Sequence, residues 1–214
     1  MIDCGIKYLS VFSIDDLKRL RQINKQVNVL LLGYMPWEEL DETCYTNTIF
    51  SIFNLEGLDN IGKISKKINK KVDIHVKLET GFNRFGIGEK EITKFLEILK
   101  KYPLLNLDGV YSHFANIEDT VDRAYGEFQV KVFNSLLAKI EKNGFKINLK
   151  HISNGASTIL YPKSHFDLVR TGLITYGMWP SQELYKKIDV KPVLKWKSIV
   201  VQVKTINKGE YIGY

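Results

Sequence analysis

"VDIHVKLETGFNRFGIG", residues 72–88, decides the fold. From Val72 to Glu79 the apolar residues Val72, Ile74, Val76 and Leu78 alternate with Asp73, His75, Lys77 and Glu79. A period of two is the mark of a strand. Four ionisable side chains on one face of an interior strand do not suit an open sheet covered by helices on both sides. They suit a barrel wall, with the apolar face packed on outer helices and Asp73, His75, Lys77 and Glu79 turned into the interior. The strand runs into a glycine-punctuated loop that carries one arginine, Arg84.

Working outward, the same alternation of patterns repeats. "KYLSVFS" (Lys7–Ser13), "VNVLLLG" (Val27–Gly33) and "TIFSIFN" (Thr48–Asn54) read as strands before it. "LDGVYSH" (Leu107–His113), "INLKHISN" (Ile147–Asn154) and "FDLVRTG" (Phe166–Gly172) read as strands after it. Between them lie stretches of helical period. Ser13 and Asp16 form a capping-box pattern ahead of a stripe of Leu17, Leu20 and Ile23. Leu58, Ile61, Ile64 and Ile68 mark a second helix, and Ile92, Phe95, Leu96, Leu99 and Tyr102 a third. Tyr125, Phe128, Val132, Phe133, Leu136, Leu137 and Ile140 mark a long fourth. Repeated β-α units predict a parallel sheet. Seven strands are expected, whereas a closed (β/α)8 barrel has eight and usually about 250 residues. The fold class is therefore α/β, an incomplete (β/α)8 TIM-type barrel lacking its first strand.

After Pro180 the helical period stops. "VLKWKSIVVQVKTINKGEYIGY" (Val193–Tyr214) alternates like antiparallel strands, with "NKGE" as a turn. Residues 1–185 are expected to form the partial barrel and residues 186–214 the start of a second, all-β domain. The expectation is that both ends of the chain are truncated.

Composition narrows the class. Of 214 residues, 44% are hydrophobic and 26% charged, which is globular. No apolar run approaches the roughly 18–20 residues of a membrane span, so no membrane association is expected. "MIDCGIKYLS" has no basic region followed by an apolar stretch, so no signal peptide is expected. Two cysteines without close spacing predict a reducing, cytoplasmic setting. The net charge of +7 comes almost wholly from lysine, with only five arginines. Spread over helix faces, with "KKINKK" (Lys66–Lys71) the densest cluster, it predicts solvated surface rather than a nucleic-acid footprint.

Few motifs carry chemistry. "GLDNIGK" (Gly57–Lys63) approaches a phosphate-binding loop, but Ile64 replaces the hydroxyl residue, and the segment carries the helical stripe. His75, His113, His151 and His165 lack zinc spacing, and no metal is expected. His113 and His151 fall near the C-terminal ends of strands, the rim where barrels build active sites. Arg84 and Arg170 lie at that rim too, and a buried arginine needs partners. "RTGLITYG" (Arg170–Gly177) sets a cation before a glycine turn whose backbone N–H groups suit a phosphate.

Five stretches together resemble the alanine racemases, fold-type III pyridoxal 5'-phosphate (PLP) enzymes. They are "VKLETGFNRFGIG", "GVYSHFANIED", "HISNGAS", "HFDLVRTGLITYGMWPS" and "VVQVKTINKGEYIGY", in the family's order. The resemblance implies a (β/α)8 barrel joined to a C-terminal β-domain in a homodimer. It implies PLP as cofactor and interconversion of L- and D-alanine for the bacterial cell wall. His113 would stack beside the cofactor ring. Arg170 would hydrogen-bond the pyridine nitrogen, which stays unprotonated because a guanidinium has a pKa above about 12. Asn154, Gly155, Gly172 and Leu173 would surround the phosphate. Lys77 matches a lysine that is often carbamylated, and its carbamate would orient Arg84. Arg84, with Phe82 beside it, would face the substrate carboxylate. Tyr214 matches the catalytic tyrosine that serves as one acid/base group in the partner's site.

The sequence departs from that pattern in three places. It contains no K-x-N-x-Y-G-H-G motif, which carries the Schiff-base lysine and second base on the first barrel strand. That motif is expected upstream of Met1, and the 214 residues alone are expected to be inactive. Gly155 stands where a phosphate-binding serine is common, leaving Ser153 and Ser157 as its candidate replacements. Phe82 stands where Met is common. Two other readings stay open: a serine or broad-specificity racemase of the same fold, and a non-enzymatic PLP-binding regulatory barrel. The "NKGEYIGY" segment argues against the second.

Overall fold

The computed structural model describes residues 1–40 and 42–213. Six parallel strands form one sheet in chain order: β1 (Tyr8–Val11), β2 (Asn28–Leu31), β3 (Thr48–Ile52), β4 (Val72–Lys77), β5 (Leu105–Tyr111) and β6 (Leu149–His151). The order never reverses, so the sheet has no switch point of the doubly wound kind. It is the order of a barrel wall. The helices are α1 (Ile14–Ile23), α2 (Leu55–Ile68), α3 (Ile92–Leu99), α4 (Ala124–Lys142), α5 (Gly155–Leu160) and α6 (Gln182–Tyr185).

The opening stretch behaves as its pattern dictates. Val72, Ile74, Val76 and Leu78 are buried in the hydrophobic core. Ile74 and Val76 are wholly inaccessible, each contributing about 1.5–3 kcal/mol by leaving water. On the other face His75 and Lys77 are buried as well, while Asp73 reaches solvent. The expected cap forms, with the Ser13 hydroxyl accepting the N–H of Asp16, and the Asn54 side chain likewise accepts that of Gly57 at the start of α2. Gly57–Lys63 lies inside α2, as the stripe of that segment requires.

Three expectations are corrected. Phe166–Gly172 is not a seventh strand. It runs beside β6, with the N–H of Asp167 on Lys150 and that of Arg170 on Ser153. The Asp167 carboxylate takes the Lys150 N–H, so a side chain occupies a position that a ladder would give to a carbonyl. In α1 the stripe fails at its end, because Ile23 is 83% exposed at the last helical residue. In α4 Tyr125 and Phe128 are exposed and Gln129 faces the core instead, while Phe133, Leu136, Leu137 and Ile140 are buried as expected.

Residues 193–213 are exposed, and among the described residues they belong to no strand. The expected turn is present: Glu210 N–H donates to the Asn207 carbonyl, and the Glu210 carboxylate takes the Asn207 N–H. The antiparallel pairing is not, which fits the marginal stability of a lone hairpin in water.

Candidate active site

The residues singled out for function gather at the C-terminal ends of β4, β5 and β6. The loop after β4 is tied at both ends. Ile87 N–H donates to the Lys77 carbonyl, and Glu79 N–H to the Ile87 carbonyl. The Glu79 carboxylate then takes the N–H groups of Gly81 and Asn83. This fixes the segment that carries Phe82 and Arg84. The Arg84 guanidinium lies 4.4 Å over the Phe82 ring and 5.3 Å over Phe85. Arg84 is exposed, so it is not the buried arginine that its place in the sequence suggested. Its cation is partnered by ring faces at the open side of the site.

Lys77, the last residue of β4, is only 4% exposed, with its ammonium 3.8 Å from the centre of Phe85. Burial, with Arg84 and Arg170 nearby, lowers its pKa from 10.5 to about 8. A neutral amine fraction at ordinary pH is what carbamylation by carbon dioxide requires.

Arg170 is the centre of the arrangement. One terminal nitrogen donates to His151 Nδ1 at 2.6 Å. The other donates to the Ser112 carbonyl at 2.6 Å and lies 3.2 Å from His113 Nδ1. Burial lowers its pKa to about 10, which leaves it fully charged near neutrality. Burial and the three cations Arg170, Lys77 and Arg84 push His113 down to about 3. His113 is thus a neutral ring, with Phe82 packed edge-on at 5.4 Å. His151 is held well below its usual range, first by burial and then by Arg170. His165 stands apart and bonds the Thr158 carbonyl within its own turn.

Beside Arg170 lies a corner of free backbone donors. Asn154 caps α5 in a reciprocal box with Ser157, and its amide nitrogen donates to Glu118. No acceptor among the described residues takes the N–H groups of Gly155, Ala156, Gly172 or Leu173. The two pairs adjoin, since a Cβ on Gly155 would sit 3.7 Å from the Gly172 nitrogen. Ser153 and Ser157 do not replace the missing serine. Both are wholly buried, Ser153 bonded to Ser164 and Ser157 to Asn154. An anion here would meet main-chain donors, with the half-buried Arg170 cation two residues from Gly172, so the residues present fit a phosphate-bearing pyridine cofactor.

The structure therefore brings together Lys77, Phe82, Arg84, His113 and Arg170, with Asn154, Gly155, Gly172 and Leu173 at the donor corner. Tyr214 lies outside the described residues. Sequence reasoning missed Asp108 and Tyr111. Tyr111 stacks on His151 at 5.0 Å, with 3° between the rings. Asp108 bonds His75. The one available signal was a glycine inside a strand, Gly109, which marks a bulge or a close approach.

Comparison with known proteins agrees with this arrangement. The family described as alanine racemase, N-terminal domain, matches residues 1–180. Alanine racemase 2 of Caldanaerobacter subterraneus subsp. tengcongensis is 31% identical over 100% of this chain and 55% of its own length. Alanine racemase of Syntrophobacter fumaroxidans is 33% identical over 100% of this chain and 56% of its own. Alanine racemase of Clostridium difficile 630, in complex with cycloserine, superposes with a TM-score of 0.82 at 28% identity. That match covers 89% of this chain and 53% of the other. The chain spans about half the length of the curated relatives it matches. With six parallel strands in barrel order and a family match over residues 1–180, the chain belongs to the family of the alanine racemase N-terminal domain.

Proposed function

We propose that this chain is the cofactor-binding barrel portion of an alanine racemase, a PLP-dependent isomerase that interconverts L- and D-alanine. Residues 186–214 then begin a second, all-β domain, and the working unit is a cytoplasmic homodimer supplying D-alanine for the cell wall. The observation that carries the reading is Arg170, a half-buried cation bonded to His151 and the Ser112 carbonyl, beside a corner of unclaimed amides at the barrel mouth. No helix among the described residues is long and apolar enough to cross a membrane, which is compatible with that setting.

Bound here, PLP supplies an electron sink that acidifies the Cα–H of an amino acid. The chain's own residues set the conditions. Arg170 keeps its proton and would donate to the pyridine nitrogen, which would weaken the sink and disfavour side reactions. His113, neutral, would sit beside the ring without competing for a proton. The amides of Gly155, Gly172 and Leu173, with Asn154, hold the phosphate. Arg84 takes the substrate carboxylate, with Phe82 limiting the side-chain space. Lys77, as a carbamate, exchanges a buried cation for an anion and pairs with Arg84. Tyr214 exchanges a proton with the substrate in the partner's site.

Equilibrium dialysis of this chain against PLP and against pyridoxal tests the reading. Retention of PLP, at least tenfold weaker for pyridoxal and for Arg170→Met, is the expected result. Equal retention of the two ligands, or none, overturns it.

A further inference from the structure

A line of hydrogen bonds leaves Arg170 through His151. Arg170 Nη1 lies 2.6 Å from His151 Nδ1. His151 Nε2 lies 3.0 Å from His75 Nδ1, and His75 Nε2 lies 3.1 Å from Asp108 Oδ2. The other carboxylate oxygen of Asp108 accepts from the Asn148 amide. His75 and His151 are 1% and 0% exposed, so each ring nitrogen must be satisfied within the protein.

Only one assignment of protons satisfies all four groups. A guanidinium can only donate, so His151 Nδ1 is bare and its proton is on Nε2. That proton points at His75 Nδ1, which must be bare in turn. The His75 proton is then on Nε2 and meets the Asp108 carboxylate. A doubly protonated His75 would set a second N–H against His151 Nε2–H. The reverse tautomers would set a bare nitrogen against a carboxylate and an N–H against a guanidinium. The bonds therefore run one way, from cation to anion, through two neutral rings.

Two features of the backbone exist around this line. The β4–β5 register pairs Ile74 with Leu107 and His75 with Gly109, so Asp108 is an extra, bulged residue. The bulge re-aims its side chain at His75. Gly109 leaves room for the ring, since a Cβ there would lie 2.5 Å from His75 Nε2. Tyr111 fixes the plane of His151 by stacking and is itself bonded to Ser51.

We propose that His75 and Asp108 are positioning residues for Arg170. Asp108 sets the tautomer of His75 from one end, Arg170 sets that of His151 from the other, and the His75–His151 bond so formed holds His151 where its bare Nδ1 meets Arg170. The consequence for the pyridine nitrogen rests on the PLP reading above. The proton order itself does not.

The test is the imidazole nitrogen spectrum of the 15N-labelled chain at neutral pH, without cofactor. His75 and His151 should each show a protonated Nε2 and a bare Nδ1. In Asp108→Leu, and in Gly109→Ala, which changes no donor or acceptor, the His75 Nε2–H loses its acceptor and His75 should lose its single tautomer. Asp108→Asn keeps an acceptor once Asn148 turns over, and should keep the wild-type pattern. A protonated Nδ1 on either ring of the wild-type chain overturns the proposal, and needs no variant. So does an unchanged His75 spectrum in a folded Asp108→Leu or Gly109→Ala chain. A chain that fails to retain PLP yet shows both Nε2 protons refutes the cofactor reading and leaves the relay standing.

Discussion

Lys77 gives a prediction that can be worked through. Its ammonium is buried at the end of β4 and has two guanidinium groups near it. Burial is the larger cause, and the folded pKa is about 8 against 10.5 for an ordinary lysine. Between those values the unfolded chain binds the proton and the folded chain does not. Stability contributed at this site therefore rises with pH across the window from about 8 to 10.5. Below it both states are protonated and the folded state carries the full cost of a buried charge, on the order of 2–3 kcal/mol. Lys77→Met removes the titration and keeps most of the side-chain volume. The stability of the variant minus that of the wild type should fall by about 2–3 kcal/mol as pH rises through the window, whatever the packing offset. Urea unfolding of both chains in carbonate-free buffer, at steps from neutral pH upward, measures this difference. Exclusion of carbonate matters because a carbamate on Lys77 would cancel the buried charge. A difference curve that is flat across the window, or that rises, would refute the reasoning.

Other consequences follow from the same geometry. With 13C-bicarbonate present, the wild-type chain should show a carbamate carbon signal that Lys77→Met lacks. In Arg170→Met the His113 pKa should rise from about 3 yet stay below 6.5, because burial is its largest cause; an NMR pH titration reads this directly. Asn154→Ala breaks the reciprocal cap of α5 and should cost about 1 kcal/mol in chemical denaturation. Gly155→Ser restores a hydroxyl at the amide corner, where its Cβ would lie 3.4 Å from Ile174 Cδ1. PLP retention should then tighten about fivefold, the worth of roughly one hydrogen bond.

The barrel was legible in Val72–Glu79 because burial of both faces of one strand leaves few folds to choose from. The seventh strand misread Phe166–Gly172, whose composition suits a strand. Nothing in a linear pattern shows that the Asp167 carboxylate takes the Lys150 amide. Arg84 and Arg170 look alike in the sequence, yet Arg84 lies exposed on two rings and Arg170 is enclosed by two imidazoles. Which arginine is buried depends on where the loop after β4 is tied, and Glu79 does that tying. Ile23, Tyr125 and Phe128 kept their helical spacing but sit at helix ends or over loops, where periodicity no longer reports the core. The Asp108–His75–His151 line needed a register shift between β4 and β5, a property of two strands together and of neither alone.

The central claim is that this barrel serves PLP-dependent racemisation of alanine. The most direct test expresses the protein from its complete reading frame and follows D-alanine formed from L-alanine. D-alanine production should require PLP and be lost in Arg170→Met and when the Tyr214 hydroxyl is removed. Failure to form D-alanine with PLP saturating and the protein folded would contradict that claim.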